Sequence, residues 1–309
     1  MPTSKNTSPI RIAGAYTALV TPFRDGQLDE SRLKHNVAEQ LAAGMTGVVP
    51  VGTTGESPTL SHAEHERVIE VTIDAVRNSP RPDAQVIAGT GSNATTEALS
   101  LTLAAKKAGA DAALMVNPYY NKPSQEGLYR HFMTVADAVD LPIVLYNIPG
   151  RTNVTMSADT VARLGKHPNV IAVKEATGSL DLASEILQQA GDNITVISGD
   201  DSLTLPLMSI GGTGVISVLG NLTPARVVAM VAAASAGDYD QARSTHHAIF
   251  PLCKAMLTLA VNPVVVKTAL KLLDRDTGEL RLPLCEMPAD DAAALQSLLR
   301  RTDFVGENS

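Results

Sequence analysis

Between residues 13 and 236 the chain alternates eight times between a short apolar run and a stretch of helical periodicity. No other feature restricts its fold as much. The apolar runs are Ala13–Val20, Gly47–Val51, Gln85–Gly89, Ala112–Val116, Pro142–Tyr146, Val170–Lys174, Ile194–Ser198 and Gly214–Val218. They are rich in Val, Ile and Ala and show little polar alternation, as expected for strands covered on both faces. Each strand-plus-helix unit takes about 28 residues, close to the ~30 that a parallel crossover needs. Eight right-handed crossovers close into a (β/α)8 barrel. An open doubly wound sheet would bring a nucleotide fingerprint after the first strand, but Thr21-Pro22-Phe23 stands there instead. The sequence therefore predicts an α/β fold, a (β/α)8 barrel.

The stretches Ser31–Ala43, His62–Val76, Thr95–Ala108 and Gln125–Ala138 read as helices between strands. Asp29, Ser61 and Ser157 stand where N-caps belong, and Glu64 completes a capping box with Ser61. Beyond residue 236 the pattern is helical only, over Tyr239–Leu259, Pro263–Leu273 and Asp290–Arg301. The expected organisation is a polar, frayed tail at 1–9, a barrel carrying the site at 10–236, and a C-terminal helical extension at 237–309. Subunit contact is the expected work of that extension.

Composition narrows the function. Charged residues make up 18 %, the net charge is −7 and aromatics are 3 %, which excludes the basic face of a nucleic-acid binder. The two cysteines, Cys253 and Cys285, form no CxxC pair, so neither a disulfide scaffold nor a cysteine-rich zinc site is expected. No apolar stretch has the length of a signal peptide or membrane span. A cytoplasmic location is the default expectation.

In a barrel of this kind, reactive residues gather at the C-terminal ends of the strands. Lys174 closes the run Val170–Val173. An amine so placed can attack a carbonyl and form a Schiff base. It could equally pair with an acid at the rim, and taken alone that second reading leads. Tyr146 ends the neighbouring strand and shifts the balance, because a tyrosine hydroxyl can relay the protons that Schiff-base chemistry requires. The turn Gly52–Glu56 offers hydroxyls at Thr53 and Thr54 and open backbone N–H groups, a cradle for a carboxylate or phosphate. Arg151 follows Pro149-Gly150 and could grip a carboxylate in bidentate fashion, or lie on the surface. Tyr119 and Tyr120 could serve packing, subunit contact or the site. Asp200 and Asp201 are expected to cap a helix and not to bind metal. His62 and His65, at i and i+3, lack the third ligand zinc requires. No metal site is expected.

The motifs GTTGES (52–57), NPYYNKPSQEGLY (117–129), LYNIPGRT (145–152), VKEATG (173–178), SGDD (198–201) and GVISV (214–218) resemble the dihydrodipicolinate synthase family, the pyruvate-dependent Schiff-base aldolases of lysine and diaminopimelate biosynthesis. The resemblance runs from about Ile12 to Leu284. It implies a lyase with no cofactor beyond a covalent imine on Lys174. It further implies condensation of pyruvate with L-aspartate 4-semialdehyde to 4-hydroxy-tetrahydrodipicolinate. Residues matching Thr53, Tyr120 and Tyr146 would relay protons, with Tyr120 reaching into a partner's site. Thr54 would help hold the pyruvate carboxylate, and Arg151 that of the semialdehyde. Ile216 would offer its carbonyl near the imine, and Gly199 would border the substrate. A homo-oligomer is implied, a dimer at least and by expectation a tetramer.

Feedback by L-lysine is also implied, through positions matching Ser57, His62, His65, Asn93, Glu97 and Tyr119. All six carry the expected residue type, whereas Pro58 departs from the family's usual small residue. The N-terminal extension and a longer loop around 78–83 are further departures. Two other readings stand beside the synthase: a sibling aldolase or dehydratase acting on a sugar acid such as N-acetylneuraminate, and a non-catalytic keto-acid-binding barrel. Siblings resemble the family without the arginine of LYNIPGRT, so Arg151 favours the synthase. An intact Lys174, Tyr146, Thr53 and Tyr120 set argues against a mere sensor.

Overall fold

In a computed structural model of the chain, residues 10–302 are described; the expected tail at 1–9 lies outside them. Eight parallel strands close into a barrel: β1 (Gly14–Ala18), β4 (Gly47–Val49), β5 (Gln85–Gly89), β6 (Ala112–Val116), β7 (Ile143–Asn147), β8 (Val170–Glu175), β9 (Thr195–Ser198) and β10 (Gly214–Ser217). β1 closes the ring by pairing with both β10, Tyr16 opposite Ile216, and β4, Tyr16 opposite Gly47. The remaining pair, β2 (Phe23–Arg24) and β3 (Gln27–Leu28), forms a small antiparallel hairpin after β1 that hydrophobic periodicity did not reveal. Two residues per strand are too few to carry a pattern.

Side chains alternate along each strand, which divides the core into layers. Tyr16, Val49, Ile87, Leu114, Val144, Ala172, Ile197 and Ile216 point inward and fill the barrel. Val48, Val86, Ala113, Leu145, Val173 and Val196 point outward against the helices. A strand with two apolar faces reads as a continuous apolar run, which explains the eight runs in the sequence.

The outer helices begin where the caps stand. Asp29 accepts from the N–H of Arg32 at α1 (Glu30–Ala42). Ser61 and Glu64 form the reciprocal capping box of α2 (His62–Arg77), worth on the order of 1 kcal/mol. α3 (Thr95–Ala108) and α4 (Gln125–Ala138) follow; α5 (Pro149–Thr152) is a single turn, and Ser157 caps α6 (Ala158–Leu164). α7 (Leu180–Ala190), α8 (Thr204–Ser209) and α9 (Pro224–Ser235) complete the ring.

α10 (Tyr239–Thr258), α11 (Val264–Leu272) and α12 (Ala289–Arg301) form the C-terminal segment. Ile249, Leu252, Val265, Leu270 and Leu295 pack with Val215, Leu219 and Met230 in one apolar cluster. Residues 275–281 then return to the barrel. Thr277 Oγ1 donates to the Phe23 carbonyl (2.6 Å), and Arg281 pairs with Glu64 (2.6 Å). These contacts lie beside the turns that follow β1 and β4. The segment expected to serve subunit contact is thus also tied, within one chain, to the rim that holds the site.

Candidate active site

The register β7·β8 sets Tyr146 directly opposite Lys174. Both take the inward positions of their strands, while their neighbours Asn147 and Glu175 face outward into the polar layer beneath the loops. Lys174 Nζ lies 4.0 Å from the centroid of the Tyr146 ring. Both side chains are buried, each 5 % exposed. Among the described residues no carboxylate comes within ion-pair distance of Lys174, and neither Nζ nor the Tyr146 hydroxyl has a hydrogen-bond partner. The ion-paired rim lysine is therefore not what the structure contains. A buried amine without a counter-ion, stacked on an aromatic face, is an uncommon arrangement that points to chemistry.

Gly199 explains how the lysine fits. A Cβ at this position would come 2.9 Å from Lys174 Cε and 2.8 Å from the Ala176 Cβ, so only glycine leaves room for the lysine stem. Its N–H donates to the Glu175 carbonyl at 2.7 Å, joining β9 to β8. Ile216 is fully buried in the barrel interior alongside Tyr146.

A cavity of about 530 Å³ opens at the mouth. Its walls include Thr53, Tyr146, Arg151 and Thr152, and also Ser57, His62, His65, Glu97 and Tyr119. The structure thus joins in one space three of the residues expected at the reaction site, Thr53, Tyr146 and Arg151, and five of the six expected to hold lysine, while Lys174, Gly199 and Ile216 lie outside these walls. Asn93 stays outside those walls, and its carbonyl accepts from Asn121 Nδ2 (2.8 Å).

The turn after β4 is closed by its own backbone: Gly55 N–H donates to Gly52 O (3.1 Å), Glu56 N–H to Thr53 O (3.1 Å) and Ser57 N–H to Gly52 O (3.3 Å). The N–H groups of Thr53 and Thr54 have no partner among the described residues. Adjacent free N–H groups in a tight turn make a nest for an anion. Thr53 is half-buried against the cavity. The side chain of Thr54 is not in the wall: it is buried, and its hydroxyl accepts from Asn262 Nδ2 at 2.9 Å. The Asn262 carbonyl in turn accepts from Arg151 Nη2 (3.0 Å). Asn262, in the stretch before α11, holds both expected carboxylate contacts and was missed in the sequence. Its only signal was the Asn-Pro step, which reads as a turn.

Tyr120 is 89 % exposed and lies outside the cavity of its own chain. Its φ of 73° is left-handed, a conformation that a large side chain rarely adopts. Asp200 caps as expected, accepting from Ser202 N–H (2.9 Å). Asp201 does not: buried, it accepts from the N–H groups of Val218 and Leu219 (3.0 Å each) and from the Ser217 hydroxyl. It therefore anchors the end of β10. Desolvation pushes its pKa up, and that of Glu175 likewise.

The cluster expected to hold lysine carries its own electrostatics. Glu97 accepts from Ser92 Oγ and pairs with His62 Nε2 at 2.8 Å. These hydrogen bonds hold its carboxyl below the usual range. Burial pushes His65 down to about 4, so its ring is neutral at neutral pH. Among the described residues no group of three or more His, Cys, Asp or Glu could hold a metal. No helix among them is long and apolar enough to cross a membrane.

Residues 11–302 match the pattern of the Dihydrodipicolinate synthetase family. The chain belongs to this family. Its 4-hydroxy-tetrahydrodipicolinate synthase relative from Pelobacter propionicus is 52 % identical over 292 residues, 94 % of this chain and 99 % of that one. The chloride-inhibited dihydrodipicolinate synthase of Acinetobacter baumannii, solved with pyruvate, superposes with a TM-score of 0.91 at 41 % identity, covering 95 % and 99 % of the two chains. The enzyme of Cyanidioschyzon merolae, solved with lysine bound, gives 0.90 at 37 % identity over 94 % and 98 %. The family match spans the barrel and the C-terminal segment together.

Proposed function

We propose that the chain condenses pyruvate with L-aspartate 4-semialdehyde to 4-hydroxy-tetrahydrodipicolinate through an imine on Lys174, with no further cofactor. The unpaired, buried Lys174 amine stacked on Tyr146 is the single observation that carries this reading. The neutral amine adds to C2 of pyruvate, and loss of water gives the iminium. Its positive charge draws a proton off C3, and the resulting enamine attacks the aldehyde carbon of the semialdehyde. The amine of that substrate then adds to C2, closes the ring and releases Lys174. Each step moves a proton, and the free hydroxyl of Tyr146 is the nearest relay, with Thr53 and Tyr120 of the partner subunit as its continuation. The N–H groups of Thr53 and Thr54 suit the pyruvate carboxylate. Arg151, held by Asn262 over the cavity, suits the second carboxylate, as a polyhydroxylated aldehyde would not require.

A left-handed, outward Tyr120 supports a site shared between two copies, hence at least a dimer. The cluster of Ser57, His62, His65, Asn93, Glu97 and Tyr119 supports L-lysine as an inhibitor, its ammonium facing Glu97. The test is turnover of pyruvate and aspartate semialdehyde with the reductase-coupled loss of NADPH, repeated with added lysine. Product formation is expected, with inhibition by lysine. Turnover only with a sugar-acid aldehyde would transfer the chain to a sibling activity.

A further inference from the structure

A second buried lysine lies far from Lys174 in sequence and makes a different kind of contact. Lys267, on α11, is completely buried and forms an ion pair with the equally buried Glu56 carboxylate. Its Nζ also donates to the Glu279 carbonyl (2.7 Å) and lies 4.3 Å from the Phe23 ring centroid. The other Glu56 oxygen accepts from the Arg281 N–H (3.2 Å). Glu56 is the last residue of the Gly52–Glu56 turn. Its φ of 55° is left-handed, which a non-glycine residue holds only when its surroundings over-determine it. Its own N–H closes on the Thr53 carbonyl. Gly55 is equally constrained: its carbonyl accepts from Thr21 Oγ1 (2.7 Å), and a Cβ there would meet Val51 N at 2.8 Å. Both carboxylate oxygens of Glu56 are thus held by the C-terminal segment, and the backbone of Glu56 is bonded to the residue that lines the cavity.

We propose that Glu56 and Lys267 form a strut through which the C-terminal segment sets the Thr53–Thr54 turn, making both of them positioning residues for the carboxylate of the keto acid. This rests on the reading of that turn as the carboxylate nest. The strut explains why a buried ion pair stands where a well-packed apolar pair would stabilise the fold as well. A charged pair with fixed donors holds one backbone geometry, whereas an apolar contact tolerates several. It also gives the C-terminal segment a part in substrate binding within its own chain, in addition to any subunit contact.

The test begins with Glu56→Gln, which keeps the shape and removes the charge. The KM for pyruvate should rise at least about tenfold, with trapping of pyruvate on Lys174 slowed in proportion and the KM for the semialdehyde within about twofold. Glu56→Gln/Lys267→Met removes the buried charges altogether, restores the melting temperature if Glu56→Gln lowers it, and should keep the raised pyruvate KM. Either variant, folded and with a wild-type pyruvate KM, overturns the proposal. Wild-type protein gives an independent reading: reductive trapping of pyruvate on Lys174 should slow hydrogen exchange across residues 264–272, because coupling is reciprocal. Unchanged exchange there would equally overturn the strut. Failure of the wild type to form any pyruvate adduct on Lys174 would instead remove the carboxylate reading on which the strut rests.

Discussion

Among the described residues two lysines are buried, each against an aromatic ring, and they differ in their polar partners. Lys267 has a carboxylate, a carbonyl and the Phe23 face. Among the described residues Lys174 has the Tyr146 face and no polar partner. Burial pushes the pKa of Lys267 down, and the Glu56 carboxylate opposes that shift. The Lys174 amine lacks such a counter-ion among the described residues. Burial alone therefore does not identify a nucleophile. What distinguishes it is burial without a compensating charge, at a strand end, beside a free hydroxyl.

The contrast is sharpest when each lysine is replaced by methionine. Lys174→Met should abolish turnover, by on the order of 10⁴-fold or more, while leaving the melting temperature at or above that of the wild type. Lys267→Met should cost about 3–5 kcal/mol of stability, because Glu56 is left charged and buried without its partner. Denaturant titration read beside the assay separates the two. A large loss of stability in Lys174→Met would mean that its amine has a structural partner after all.

Tyr146→Phe keeps the ring over Lys174 and deletes the hydroxyl. Turnover should fall about 10²–10⁴-fold, the usual worth of one positioned proton donor, with little change in stability. An undiminished rate would move the relay elsewhere.

The smallest effect is on the acid side. Burial pushes His65 and His131 down to about 4 from the ordinary 6.5. The unfolded chain therefore takes up these protons first, and stability falls as pH drops from about 6.5 to about 4, by up to about 3 kcal/mol per histidine. Glu175 and Asp201, pushed upward by burial, act in the opposite sense and offset part of this loss. Chemical denaturation between pH 7 and 4 should show a slope that is reduced in His65→Gln and in His131→Gln. Identical slopes in the variants would contradict the buried neutral rings.

The barrel was legible because parallel strands are apolar on both faces. β5 and β6 have the bounds read from the sequence, and the other strands start or end within a few residues of theirs. Lys174, Tyr146 and Arg151 were legible because barrel chemistry collects at strand ends. The Glu56–Lys267 pair was not, since its partners are 211 residues apart and no local period relates them. One local sign existed: Lys267 falls three residues from Val264 and from Leu270, on the buried stripe of α11, where a lone charge needs a buried partner. Which partner it takes is a fact of tertiary structure. Asn262 was hidden for the same reason, joined to Thr54 across 208 residues.

The most direct test is borohydride reduction of the protein with pyruvate, followed by mass mapping of the modified peptide. The account predicts one pyruvate-derived adduct, on Lys174, absent in Lys174→Met and undiminished in the presence of an unmodified Lys267. An adduct on Lys267, or none on Lys174 in the folded wild-type protein, would contradict it.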